Sequence, residues 1–304
     1  QASTTTTITL LPNPVFFGET VEFYANVNAV SPSVGIPTGS VTFKNGSTVL
    51  GTSSLNGGVA MLALTNLPTG SNSITASYNA SANFAASISS SSTLTINPTA
   101  TTIRASSSPN PSSLGNSVTA NITVAAVNGF SVPTGTVTAF YGSTQVGSGT
   151  LNGSGQVALT LNNLPAGVLN LVINYSGDAN NLASSTSITQ TVNKSTASVG
   201  LTSSNNPSFV GQSVTFTANV TSPTNAPTGT VLLLDGNTTI GTQSVNTSGV
   251  ATFQITDLTL GTHAISAVYN GDANNSTANS SVINQVVSQG STSVNLISVL
   301  NPSP

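Results

Sequence analysis

Apolar and polar residues alternate along most of this chain with a period of two. Val21, Phe23, Ala25 and Val27 occupy one phase of such a run, which returns as Val118, Ala120, Ile122 and Val124 and again as Val214, Phe216, Ala218 and Val220. Alternation of this kind predicts a strand with one buried face. A second run reads Ala60, Leu62, Leu64, then Val157, Leu159, Leu161, then Ala251, Phe253, Ile255, each followed three residues on by Leu67, Leu164 or Leu258. A third climbs through Ile74 and Ala76 to Tyr78, through Leu171 and Ile173 to Tyr175, and through Ile265 and Ala267 to Tyr269. Helix-period stretches are absent. Asn45-Gly46, Asn56-Gly57, Asn152-Gly153 and Asp235-Gly236 fall between runs, where hairpin turns need residues tolerant of positive φ.

The recurrence has a period of about 96 residues. Asn-Pro pairs stand at Asn13, Asn110, Asn206 and Asn301; a Gly-x-Ser/Thr-Val entry at Gly18, Gly115 and Gly211; and a Pro-Thr-Gly-Ser/Thr-Val corner at Pro37, Pro133 and Pro227. Gly70, Gly167 and Gly261, and the three tyrosines above, keep the same spacing. A period this long is a whole domain. The predicted organisation is residues 1–98, 99–194 and 195–289 as three domains, with 290–304 repeating the opening strand of a unit, either the start of a further repeat or a strand donated to another chain.

Roughly seven short strands per unit, with turns every 8 to 12 residues, is the pattern of an immunoglobulin-like β-sandwich. The expected fold class is all-β: three tandem sandwiches in an extended rod, plus a lone C-terminal strand. Antibody-type domains are excluded, because their buried Trp and Cys pair are missing. Each repeated Tyr is expected in the core or at a strand corner, its hydroxyl on a main-chain carbonyl.

The Pro-Thr-Gly corners, with Tyr175-Ser-Gly-Asp-Ala-Asn-Asn and Tyr269-Asn-Gly-Asp-Ala-Asn-Asn, give the chain a resemblance to the bacterial Ig-like repeat domains found in tandem on large surface proteins. The first unit departs, with Ser81 in place of the Asp. The resemblance implies stalks, adhesin shafts and surface filaments outside the cell, and no catalytic residue.

Composition narrows the classes further. Charged residues are 3% of the chain, with three Lys or Arg against six Asp or Glu and a net charge of −3, far below the roughly 25% of ordinary proteins. Nothing basic is available to neutralise nucleic-acid phosphates or anionic lipid. No apolar run approaches a membrane span of roughly 18 residues. Apolar residues at 37% in ordered alternation set it apart from disordered Ser/Thr-rich chains. The chain begins at Gln1 without Met, which reads as a mature form or a cut fragment. Without cysteine there is no disulfide framework and no thiol chemistry.

Candidate chemistry is sparse, and neither enzyme activity nor a cofactor is expected. His263 is the only histidine, with Asn72 and Leu169 at its place in the sibling units; Asp257 and Asp272 are the acids near it in sequence for a Ser-His-Asp arrangement. Asp178 and Asp272 are weak candidates for calcium, which wants several carboxylates where each loop offers one. Lys44 and Lys194 are the only lysines, too few for an isopeptide bond in every unit. Asn-x-Ser/Thr sequons stand at Asn45, Asn79, Asn121, Asn152, Asn174, Asn193, Asn219, Asn237, Asn246, Asn274, Asn275 and Asn279. In a host that N-glycosylates secreted proteins these are candidate glycan acceptors, with Asn45 and Asn152, on turn tips, expected to be the most accessible.

Asn97-Pro98-Thr99 and Asn193-Lys194-Ser195 leave too few residues between units for a flexible coil. Strands of about ten residues give each unit roughly 35 to 40 Å, and three units about 110 Å. The functional expectation is an extracellular or cell-surface stalk, acting by length and stiffness. Its expected partners are copies of itself or further Ig-like repeats end to end. Two alternatives stand beside it: a filament subunit assembled by strand donation, and a carbohydrate-binding accessory module, the latter hampered by the lack of Trp.

Overall fold

A computed structural model describes residues 1–297, and every regular element among them is a β-strand. In the first repeat these are β1 (Thr4–Leu11), β2 (Val15–Phe16), β3 (Val21–Ala29), β4 (Ser40–Asn45), β5 (Thr48–Ser54), β6 (Val59–Leu64), β7 (Gly70–Asn79), β8 (Ser87–Ile88) and β9 (Ser92–Asn97). They form two sheets, one ordered β1-β3-β6 and one ordered β2-β9-β7-β4-β5, with β8 also paired to β7. The other repeats have the same two-sheet arrangement.

The alternating runs supply the facing layers, as the sequence predicts. Phe23, Ala25 and Val27 of β3 and Ile74, Ala76 and Tyr78 of β7 are buried, and Phe23 meets Phe43 edge to face with ring centroids 5.9 Å apart. Val118 to Val124 and Val214 to Val220 repeat the pattern. Burying an aromatic or branched side chain contributes on the order of 1.5–3 kcal/mol, so each repeat has the means of a separate core.

The opening strand changes sheets. β1 runs antiparallel to β3, and β2 then runs parallel to β9, with Val15 opposite Ile96. Asn13 holds this crossover: its Nδ2 donates to Thr93 O at 2.7 Å, and its Oδ1 accepts Thr95 N at 3.0 Å. Asn206 clips Asn284 O and Val286 N in the same way, and Asn110 Oδ1 accepts Thr191 N. The recurrent Asn is therefore a side-chain clamp between two strands that satisfies main-chain groups at the kink.

Two details differ from the expected pattern. In the second repeat the positive φ falls on Gly155 (φ 70), two residues beyond the expected Gly153, because Asn152 Oδ1 accepts both Ser154 N and Gln156 N and widens the turn. The strand expected in 290–304 is not formed over 291–297, where Val294, Leu296 and Ile297 are exposed. A single extended segment without a neighbouring strand leaves its main-chain groups unpaired and gains nothing from the conformation. The remaining positions of that expectation, 298–304, lie outside the described residues.

Packing groups residues Gln1–Ser108, Val118–Asn162 and Asn170–Thr189 into one compact unit, and Pro109–Ser117, Asn163–Leu169 and the described residues from Gln190 on into another. The second repeat contributes to both.

Candidate functional site

The candidate acids are structural hubs. Asp178 Oδ2 accepts Thr134 N at 2.7 Å, Thr134 Oγ1 at 2.9 Å and the Tyr175 hydroxyl at 3.1 Å; its Oδ1 accepts Asn180 N and Asn181 N, both at 2.8 Å. Asn181 Nδ2 donates to both oxygens. Asp272 repeats the arrangement with Thr228, Tyr269, Asn274 and Asn275. Each carboxylate thus ties the Pro-Thr-Gly corner, the repeated Tyr and the Gly-Asp-Ala-Asn-Asn loop into one knot.

Burial raises the Asp178 pKa, but hydrogen bonds from Thr134, Asn180 and Asn181 outweigh it and hold the carboxyl at about 2. Asp272 is displaced in the same direction for the same reasons. The Tyr269 phenol is pushed up to about 12 by burial and by its bond to Asp272, and Tyr175 is raised likewise beside Asp178. Oxygens already engaged by this many donors offer little to calcium, and no group of three or more His, Cys, Asp or Glu suited to a metal occurs among the described residues.

In the first repeat, where Ser81 replaces the acid, Tyr78 donates to Thr38 O at 2.7 Å, the carbonyl cap expected for the corner tyrosine. The second and third repeats differ, since the carboxylate intercepts the hydroxyl. Phe84, 8% exposed, fills the place of Asn181 and Asn275.

His263 does not face Asp257 or Asp272. Its Nδ1 lies 2.6 Å from Asp235 Oδ2, and its Nε2 lies 2.9 Å from Thr259 O. Both nitrogens face acceptors, so the Thr259 carbonyl and the Asp235 carboxylate favour the imidazolium and raise its pKa. The first repeat makes the equivalent link with neutral groups: Asn45 Nδ2 donates to Asn72 Oδ1, and Asn72 Nδ2 donates to Pro68 O. With the imidazole protonated, the His263–Asp235 pair is a charged version of a strand-to-strand tie. Lys44 lies in β4, and Lys194 Nζ donates to Asp272 O at 2.5 Å.

The sequons separate by environment. Asn79, Asn121, Asn152, Asn193, Asn219, Asn237, Asn246 and Asn279 are exposed, whereas Asn174 and Asn274 are half-buried. Asn45, expected among the most accessible, is half-buried because its amide is engaged by Asn72 and by Ser73 N. Asn275 is fully buried inside the Asp272 knot.

The most developed constellation is one that residue chemistry alone does not mark: the joint between repeats. Thr99 and Ser195, in the short linkers, are buried and woven into the loop of the repeat they introduce. Thr99 N donates to Asn180 O and Thr99 O accepts Leu182 N, each at 2.8 Å; Ser195 N donates to Asn274 O and Ser195 O accepts Ser276 N. Ala2 makes the same pair of bonds with Asn83 and Ala85.

Within the first compact unit, Asn128 Nδ2 donates to Phe17 O and to Thr99 Oγ1, both at 3.0 Å, and Thr69 Oγ1 donates to Ala179 O at 2.8 Å. Phe130 lies over Gly18 (φ +85) so closely that a Cβ there would overlap the Phe130 Cβ. Within the second compact unit, a Cβ on Gly115 (φ +83) would stand 3.2 Å from Thr224 Cγ2. The glycine of the repeated Gly-x-Ser/Thr-Val entry is thus a seat for a side chain of the following repeat, which its positive φ and missing Cβ both permit.

The sequence profile described as bacterial Ig-like domain (group 3) matches residues 8–97, 105–193 and 201–288. The chain belongs to this family. Its members here are three consecutive Ig-like repeats, and they are the three sandwiches of the structure. No curated protein matches the chain. Solved structures with a similar course include the three N-terminal domains of the outer capsid protein Hoc of bacteriophage RB49, at 12% identity over 94% of this chain and 100% of that one, with a TM-score of 0.33. The Escherichia coli adhesin FdeC matches at 16% identity over 93% and 96%, TM-score 0.31. The Yersinia pseudotuberculosis adhesin InvE matches at 12% identity over 67% and 68%, TM-score 0.38.

Proposed function

We propose that these Ig-like repeats form a semi-rigid extracellular spacer, a segment of a surface stalk that acts by length and stiffness and performs no catalysis. The observation that carries this reading is the joint of Asn128, Phe130, Phe17 and Gly18, where the following repeat is seated on the preceding one by a hydrogen bond and a close side-chain contact. A linker with its own main-chain bonds, as at Thr99 and Ser195, has little freedom left. Membership of the bacterial Ig-like family supports an exterior location. A surface nearly without charge, rich in Ser, Thr and Asn, suits an exterior of variable salt.

Strand donation between protomers is the weaker reading. The first repeat already has β1 paired with β3 from Thr4 to Leu11, so an incoming strand would have to displace it.

The absence of cysteine allows a clean test. Spin labels on Thr48→Cys and Thr144→Cys, both exposed turn-side positions in adjacent repeats, are expected to give one narrow distance distribution by pulsed electron resonance. A broad distribution would overturn the spacer reading.

A further inference from the structure

Asn-Gly is a chemically reactive pair. Glycine has no Cβ to crowd its main-chain nitrogen, so that nitrogen can reach the preceding Asn side chain and displace its amide. The chain holds five such pairs, at Asn45, Asn56, Asn128, Asn152 and Asn270. Four are held away from the reaction. Asn45 Nδ2 donates to Asn72 Oδ1, its Oδ1 accepts Ser73 N, and Gly46 N donates to Ser73 O. Asn128 Nδ2 donates to Phe17 O and Thr99 Oγ1, its Oδ1 accepts Phe130 N, and Gly129 N donates to Ala126 O. Asn152 Oδ1 accepts Ser154 N and Gln156 N, and Asn270 Nδ2 donates to Thr230 Oγ1.

Asn56 differs from all of these. Asn56 and Gly57 are exposed, and among the described residues neither the Asn56 side chain nor the Gly57 nitrogen has a hydrogen bond. Nothing lies within 4 Å of the Cβ that Gly57 lacks, so the turn is open to water. Turn length explains the contrast. In the second and third repeats residues 153–155 and 247–249 form the turn, and the Oδ1 of Asn152 or Asn246 is engaged by two main-chain N–H groups. In the first repeat only Gly57 (φ 60) and Gly58 (φ 84) separate Asn56 from Val59, a tight hairpin turn that gives the same side chain no donor.

We propose that Asn56 is a site of spontaneous covalent modification, converting to isoaspartate as the protein ages. Gly57 N loses its proton to water and attacks Asn56 Cγ. The Cγ–Nδ2 bond breaks, the amide leaves as ammonia with a proton from water, and a cyclic imide remains. Water then opens the ring. Addition at Cγ gives aspartate at position 56, and addition at the main-chain carbonyl gives isoaspartate. Either product adds a negative charge to a chain whose net charge is only −3. Isoaspartate also carries the main chain through its Cβ and Cγ, and the oxygen that accepted Val59 N at 3.1 Å leaves the main chain as part of the new carboxylate. A two-residue turn has no slack for the added carbon, so the link from β5 to β6 loosens.

The test stores the folded full chain in warm, mildly alkaline buffer, maps peptic peptides by mass spectrometry and reads isoaspartate with isoaspartyl methyltransferase. Asn56 is expected to convert at least about tenfold faster than Asn152, whose two hydrogen bonds must first break. In guanidinium strong enough to unfold the chain, all five pairs are expected to convert at similar rates. Asn56→Gln, whose longer side chain disfavours ring closure, is expected to hold its charge on isoelectric focusing while the parent acidifies. The proposal is overturned if Asn56 persists in the folded chain as long as the four held pairs, or if Asn56→Gln acidifies as the parent does. A lead for Asn56 that persists in guanidinium would place its reactivity in the local sequence and overturn the structural argument as well.

Discussion

Asn128 Nδ2, in the second repeat, donates to the main-chain oxygen of Phe17 in the first at 3.0 Å, across 111 positions of sequence. The same nitrogen donates to Thr99 Oγ1, so one amide bridges the preceding repeat and the linker. Asn128→Ala removes both bonds, and each net bond is worth about 1 kcal/mol. The expected outcome is a broadened distance distribution between the first two repeats with each repeat still folded. Gly18→Ala should act more strongly, because a Cβ there meets the Phe130 side chain and the backbone is left-handed.

Asp178 and Asp272 each anchor a loop, a corner and a tyrosine. Asp178→Asn turns one acceptor oxygen into a donor facing donors, and should lower the stability of the second repeat by about 2 kcal/mol, read from urea unfolding. Their folded pKa values are depressed, so the stabilisation is present above the unfolded value of 3.8 and is lost as pH falls through the folded one, about 2 for Asp178. The second and third repeats should therefore weaken below about pH 4, whereas the first, with Ser81 at that place, should not weaken from this source.

His263 works in the opposite sense. Its folded pKa is raised by Thr259 O and Asp235, so its contribution is complete below the unfolded value of 6.5 and disappears as pH rises through the folded pKa. Thermal unfolding followed from about pH 6 to about pH 9 should show the third repeat losing stability. His263→Asn, the residue of the first repeat, should flatten that profile. An unchanged slope in the variant would assign the pH dependence elsewhere.

Much of this was legible in the sequence because a strand's side-chain period is two. The runs from Val21, Val118 and Val214 mark their own buried faces, and the recurrence of Gly18, Pro37 and Tyr78 marks the unit. The role of Asn13 was hidden: Asn-Pro reads as a turn, while its amide in fact clamps β9 from about 80 positions away in sequence. The Asp178 knot was hidden for the same reason, since Thr134 precedes it by 44 positions. A charge count predicts a flat pH profile; only the placement of the few charges makes the repeats differ. The joint was the least visible, because Phe130 and Thr224 share nothing but their distance from a proline.

The sequons offer a comparison inside one molecule. Produced in a host that N-glycosylates, the chain should carry glycan at exposed Asn152 and Asn237 and none at Asn275, which is fully buried in the Asp272 knot. Glycopeptide mass spectrometry reads each position. Occupancy at Asn275 would mean that the knot is open when the transferase acts.

The central claim is that the joint of Asn128, Phe130, Phe17 and Gly18 holds the first two repeats at one separation. Pulsed electron resonance between labels at Thr48→Cys and Thr144→Cys tests it most directly. The account predicts one narrow distance distribution in the parent chain, broadened in Gly18→Ala, and a broad distribution in the parent chain would contradict it.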